Sequence, residues 1–229
     1  MTLNYTLVAE LTLARAAIDK LLDGRSHPLR FERCVFDGED LSRLDLRGCV
    51  FVRCSLATSC LSRAQLGDSE WIACRAGGCD FSWADLTDAR FNDSDLNNSN
   101  WTGARLAAVV FDGTKLTGAT FGDIRGLGLA FQDSLLVGAD LRGMSFRKQR
   151  LIGLDFSGAD LGGCDFRDAV FDGGSLRDAN LRLARFEGSD LRQVVLGALT
   201  MEQVSSFKRA VISAEQAAML AASMGLFVA

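Results

Sequence analysis

The chain has 229 residues, enough for one large domain or two small ones, and 48% of them are hydrophobic, enough for a substantial core. Its 25 basic and 29 acidic residues leave a net charge of −4, which argues against direct nucleic-acid binding through a basic face. No run approaches the ~18 apolar residues of a membrane helix, Met1 to Glu10 lacks a secretory signal, and seven cysteines without a C-x-x-C pair fit a reducing compartment; a soluble cytoplasmic protein with no membrane contact is expected.

In residues 1–28, Leu7, Leu11, Ala14, Ile18 and Leu21 recur at helical spacing, and Asp23-Gly24 is a stop signal. This segment is expected to be an N-terminal helical cap that covers an otherwise open sheet edge.

From Phe31 a large apolar residue recurs at every fifth position as far as Met201. The register fills 35 positions with two lapses, Ala76 and Gly126, and holds 13 of the 15 Phe. Neither a helix nor a flat strand produces a strict period of five. Two residues before each centre the side chain is small, as at Cys34, Ala64, Ala84 and Ala159, and one before it is often Asp or Asn. Two after, Gly is usual: 14 of the 23 glycines sit there. A large and a small residue then point inward, and the chain turns sharply where Gly or Asp tolerates it.

Sorting the centres by a 20-residue period puts Phe31, Phe51, Trp71, Phe91, Phe111, Phe131, Leu151, Phe171 and Leu191 in one column, seven of nine aromatic. A stack of rings along one inner wall, with turns ~4.8 Å apart, accounts for that bias. Ala76-Gly77-Gly78 and Ile124–Leu129 lose their large centres, and the wall is expected to bulge at both. Residues 29–203 form the expected solenoid. In residues 204–229, Ser213-Ala214-Glu215-Gln216 is a capping-box pattern before an apolar helix, with Gly225 as its stop.

Gly138–Leu141 and Gly158–Leu161 both read Gly-Ala-Asp-Leu, and Ser94-Asp95-Leu96 and Ala179-Asn180-Leu181 follow closely. The pattern resembles the pentapeptide-repeat family, which implies an all-β solenoid: a right-handed quadrilateral β-helix, here with capping helices at both ends. The segment from Ser213 to Leu226 resembles the ending of the Qnr, MfpA and AlbG type, which protects DNA gyrase. That resemblance implies a homodimer, with Ala217, Leu220, Ala221, Met224, Leu226 and Phe227 at its interface. Qnr proteins carry inserted loops that break the register; this chain has none and in that respect is similar to the MfpA and AlbG types.

Candidate chemistry is sparse. Cys34, Cys54 and Cys74 share one inner position on successive turns, but Ser94, Thr114 and Ser134 continue the column, which marks these thiols as small buried side chains. His27 is the only histidine and has no partners for catalysis or metal binding. No catalytic residue, metal site or cofactor is expected, and the protein reads as a non-enzyme. One outward column carries Glu39, Asp40, Asp80, Asp123, Asp140, Asp160 and Glu202 against Arg43, Arg63, Arg142 and Arg182, a net −3. Asp before a centre is also the repeat consensus, so the same carboxylates serve either as turn residues or as a sparse imitation of the duplex phosphate array. Trp83 and Leu183 fall off register on this face and are expected to be exposed. The expected contact set is therefore Asp40, Asp80, Trp83, Asp123, Asp140 and Asp160, and the partner that the resemblance implies is a type II topoisomerase. An adaptor with an unrelated protein partner is the alternative.

Overall fold

The computed structural model describes residues 4–199, 201–223 and 225–226, apart from the side chains of Met201 and Glu202. The chain divides into two compact units, Met1–Ser134 and Leu135–Ala229.

In the first unit, Thr6–Ala9 (β1), Leu29–Glu32 (β2), Val50–Val52 (β3), Glu70–Ile72 (β4), Arg90–Asn92 (β5), Val110–Asp112 (β6) and Ala130–Gln132 (β7) pair in parallel, in chain order. From β2 onward each strand meets the residue 20 positions later, Phe31 with Phe51 and Phe51 with Trp71. Single bridges form three more ladders at the same spacing, through Val35↔Ser55, Asp40↔Cys60 and Asp45↔Gln65. Four ladders per 20 residues make a four-sided parallel β-solenoid. At three of the four corners of a turn an N–H reaches back three residues, as from Ala64 to the Leu61 carbonyl at 3.1 Å. The residue two after each centre takes positive φ, which is why Gly is common there and why Asp and Asn are its usual substitutes.

The core is built of large apolar centres, many of them aromatic. Phe31, Phe51, Trp71, Phe91, Phe111 and Phe131 stack with ring centroids 4.2–5.3 Å apart. Phe81 and Trp101 stack on another wall at 4.2 Å and meet the first column edge-on, Phe81 against Phe91 at 85°. Each such ring contributes roughly 1.5–3 kcal/mol by burial alone. Both buried indoles find an acceptor in the small residue two positions back: Trp71 donates to Ser69 Oγ at 3.0 Å and Trp101 to Ser99 Oγ at 2.7 Å.

The second unit repeats the scheme. Arg150–Ile152 (β8) and Val170–Asp172 (β9) pair in parallel, with bridges Leu135↔Asp155, Asp140↔Asp160 and Ser145↔Asp165 beside them. Phe146, Phe166, Phe186 and Phe207 stack at 4.6–4.9 Å. Met201–Val204 (α2), a 3₁₀ turn Ser205–Phe207 and Ala214–Ser223 (α3) follow.

The ends differ from the sequence expectation. Thr6–Ala9 is not helical: β1 pairs with β2 at an offset of 23 residues, Val8 opposite Phe31, and Thr12 bridges Val35. Val8 and Leu13 are buried where centres would be, whereas Leu7 and Leu11 are exposed. The helix is shorter, Arg15–Leu22 (α1), and buries only Ile18. Strand geometry wins because pairing with β2 satisfies backbone groups that a helix would leave open on the sheet edge. Helix α1 and the segment after it carry capping arginines instead: Arg15 donates to the carbonyls of Asp40 and Ser42, and Arg25 to that of Asp45. At the other end the ladder continues to Asp190↔Val211.

The expected bulge at Ala76 is absent. Ala76 is fully buried, its N–H bonds the Asp95 carbonyl at 2.7 Å, and the Ser55↔Arg75↔Asp95 ladder is unbroken. The second irregularity is present. Gly126 has φ +114° and lies so close to the turn before it that a Cβ would sit 2.6 Å from the Ala107 nitrogen, and Leu127 turns outward, 90% exposed.

Candidate protein-binding surface

The aspartates one residue before each centre are turn elements. Asp40 accepts the Ser42 N–H at 2.9 Å, Asp80 that of Ser82 at 3.0 Å, and Asp160 that of Gly162 at 3.0 Å. Asp80 and Asp160 also accept from the next turn, from Asn100 Nδ2 at 3.0 Å and Asn180 Nδ2 at 2.9 Å. In the first unit Asp40 and Asp80 share the ladder Asp40↔Cys60↔Asp80↔Asn100, so they lie two turns apart on one face. Hydrogen bonds from Ser42 hold the Asp40 carboxyl below its ordinary range. In the second unit Asp140 and Asp160 are adjacent, but Arg142 grips Asp140 through two nitrogens, at 2.8 and 2.6 Å, and stands 3.7 Å from Asp160. That hydrogen-bonded guanidinium lowers the Asp140 pKa and neutralises much of the charge this pair could offer a partner.

A second set of carboxylates behaves differently. Asp68, Asp88, Asp93, Asp123 and Asp133 occupy left-handed corners at φ +46° to +62°. Among the described residues their carboxylates make no hydrogen bond or ion pair. Of these only Asp123 belongs to the set expected from sequence. The signal for the others was present: each stands two residues after a centre, where the consensus is Gly. Asp spares the turn at such a site because it tolerates positive φ, and its charge is left free.

Trp83 is 49% exposed, but its indole lies flat on the next turn: a Cβ on Gly103 would be 2.7 Å from the ring, and the Arg125 guanidinium sits 5.2 Å from the ring centroid. The glycine and a cation–π contact thus hold the ring down. Leu183, at the equivalent corner position of the second unit, is 76% exposed with φ +62°.

The cysteine column is buried. The thiols of Cys34, Cys54 and Cys74 donate to the carbonyls of Val8, Phe31 and Phe51 at 3.3–3.4 Å; Ser94 Oγ repeats the contact with Trp71. Burial pushes the Cys79 and Cys164 thiols up to about 12. Among the described residues no cluster of three His, Cys, Asp or Glu could hold a metal, and no helix is long and apolar enough to cross a membrane.

At the C-terminal end the capping box forms reciprocally. Ser213 N–H donates to Gln216 Oε1 at 2.7 Å, and Gln216 N–H to Ser213 Oγ at 3.1 Å. Gln216 Nε2 also caps the carbonyls of Leu191 and Val194, both at 2.7 Å, which pins α3 to the last turn. No described side chain of α3 is buried: Ala217 is exposed, Leu220 and Ala221 are half-exposed, and Leu226 beyond the helix is exposed. Met224 and Phe227, also expected at an interface, lie outside the described residues.

Four-sided walls and corner turns repeated every 20 residues define a parallel β-solenoid. The pentapeptide repeat region profile matches residues 26–101 and 45–121, and the eight-copy pentapeptide repeats profile matches 131–168 and 162–197. The chain belongs to the pentapeptide-repeat family. Among solved structures it is similar to a trypsin-treated variant of QnrB1, a plasmid-mediated fluoroquinolone resistance protein. That match has 21% identity and a TM-score of 0.76, and covers 99% of this chain and 100% of the other. A second trypsin-treated QnrB1 variant matches at 22% and 0.68, over 85% and 97%. Full-length QnrB1 matches at 20% and 0.64, over 96% and 100%. These likenesses establish a shared fold. No curated protein sequence matches the chain.

Proposed function

We propose that the protein binds a type II topoisomerase, DNA gyrase, as a homodimer and protects it from a poison by presenting carboxylates where duplex phosphates would lie. The end-to-end correspondence with QnrB1, a fluoroquinolone resistance protein, carries this reading. The capping box that secures α3 supports the dimer, since it presents Ala217, Leu220, Ala221 and Leu226 to solvent on a fixed helix end. The contact set is Asp40, Asp80, Trp83, Asp123, Asp140 and Asp160, and the unpaired corner carboxylates Asp68, Asp88, Asp93 and Asp133 extend it. An adaptor with another protein partner is the second reading, favoured by the neutralisation of Asp140 and Asp160 by Arg142.

The test uses the corner residues, because Asp80 and Asp160 also hold the turns. Asp68, Asp88, Asp93 and Asp123 are changed together to Asn, which keeps the tolerance of positive φ and removes four charges. Supercoiling by gyrase is then measured with a fluoroquinolone present. Wild type is expected to protect, and the quadruple variant, with an unchanged circular dichroism spectrum, is expected not to. Equal protection by both removes these carboxylates from the mechanism. No protection by wild type against any gyrase poison selects the adaptor reading.

A further inference from the structure

The second unit carries an exposed side chain that works against its own fold. Leu183 occupies a corner with φ +62°, where a branched side chain is strained, and leaves 76% of its surface in water. Glycine fills the equivalent corners of the two preceding turns, Gly143 and Gly163, and a Cβ on either would meet nothing within 4 Å. Leu183 therefore rises as a ridge beside a bare backbone floor. A depression on one side is lined by Arg142, Asp160, Gly162 and Gly163, and one on the other by Arg185 and Glu187; Leu183, Arg182 and Asn180 border both. Arg142 and Arg185 are tied to Asp140 and Asp165. Arg182 is exposed and takes part in no ion pair among the described residues. In the second depression one carboxylate oxygen of Glu187 is buried with no hydrogen-bond partner among the described residues.

An exposed apolar side chain beside an exposed cation that takes part in no ion pair among the described residues is the arrangement of an interface anchor. Trp83 makes the contrast: at the same corner of the first unit it is laid on Gly103 beneath Arg125, so part of its surface is already used within the chain. We infer that Leu183, with Arg182 beside it, is the anchor of a second contact with the topoisomerase, one that enters a socket with an apolar floor and a carboxylate rim. This assignment rests on the topoisomerase reading and adds to it, on the same column as Asp140 and Asp160, a contact made by an apolar side chain and a cation.

Full-length chain is immobilised and the affinity of reconstituted DNA gyrase holoenzyme is measured by interferometry for wild type, Leu183→Gly and Arg182→Gln. Thermal melting is followed alongside. Leu183→Gly relieves the corner, so its Tm is expected to equal or exceed that of wild type, while gyrase binds about tenfold or more weakly through faster dissociation. Arg182→Gln is expected to weaken binding and to make it less sensitive to salt. If wild type binds and Leu183→Gly binds equally well, the anchor assignment is wrong and the topoisomerase reading stands. If wild type does not bind gyrase, both fall.

Discussion

Two residue-level rules recur among the polar groups in and around the core. A buried tryptophan takes a serine two positions before it, so that its N–H is not stranded. Ser99→Ala is expected to leave the Trp101 N–H without a partner and to cost about 1–3 kcal/mol in urea unfolding; an unchanged midpoint would show that the indole finds another acceptor. An aspartate before a centre takes the N–H two residues on, and its ionised form is favoured further where an arginine is bound. Asp165 is the extreme case: only 8% exposed, it accepts from Arg167 and from Arg185 and titrates at about 2. Its folded pKa lies below the unfolded value near 3.9. The stabilisation is therefore present above pH 4 and is lost as pH falls towards 2, with a span of about 2 kcal/mol. Asp165→Asn should melt lower at neutral pH and lose that part of the acid sensitivity. A variant with the acid dependence of wild type would assign it to other carboxylates.

Among the elements, the walls and the start of α3 were legible and the first turn was not. The five-residue register stands out because every centre must be large and every corner must turn. The first turn escapes it because three extra residues displace Val8 and Leu13 by a non-multiple of five, and Leu7 and Leu11 mimic helical spacing by coincidence. Phe207 was missed for a similar reason: it stacks on Phe186 one residue out of phase. The cap of α3 could be read because Ser213 and Gln216 meet at fixed local spacing, but the carbonyls that Gln216 also serves are 22 and 25 residues away. Gln216→Ala removes both functions. It is expected to cost about 1 kcal/mol of cap energy, to loosen α3, and to turn a dimer into a monomer by light scattering. A variant that remains dimeric would separate the helix from association, and a monomeric wild type would remove the dimer.

At the scale of the whole chain, charge is unevenly divided. Residues 1–134 hold 14 basic and 18 acidic side chains and residues 135–229 hold 11 of each, so the net −4 belongs to the first unit. Five of the six corner carboxylates without a partner among the described residues lie there, Asp178 of the second unit being the sixth, and it is why the proposed mimicry is tested there and not at Asp140 or Asp160. Residue type alone does not separate the two kinds of aspartate, but their place in the register does: one residue before a centre an aspartate holds a turn, and two after a centre it carries free charge at a corner. The ladder spacing also places different rules on the inside and the outside. Five inserted residues would keep every later centre buried yet carry every later exposed group on to the neighbouring face; only twenty would return it to its own. The interior is thus indifferent to changes that would erase a binding surface, so copies of this gene can drift in length by single repeats and stay folded while changing what they recognise.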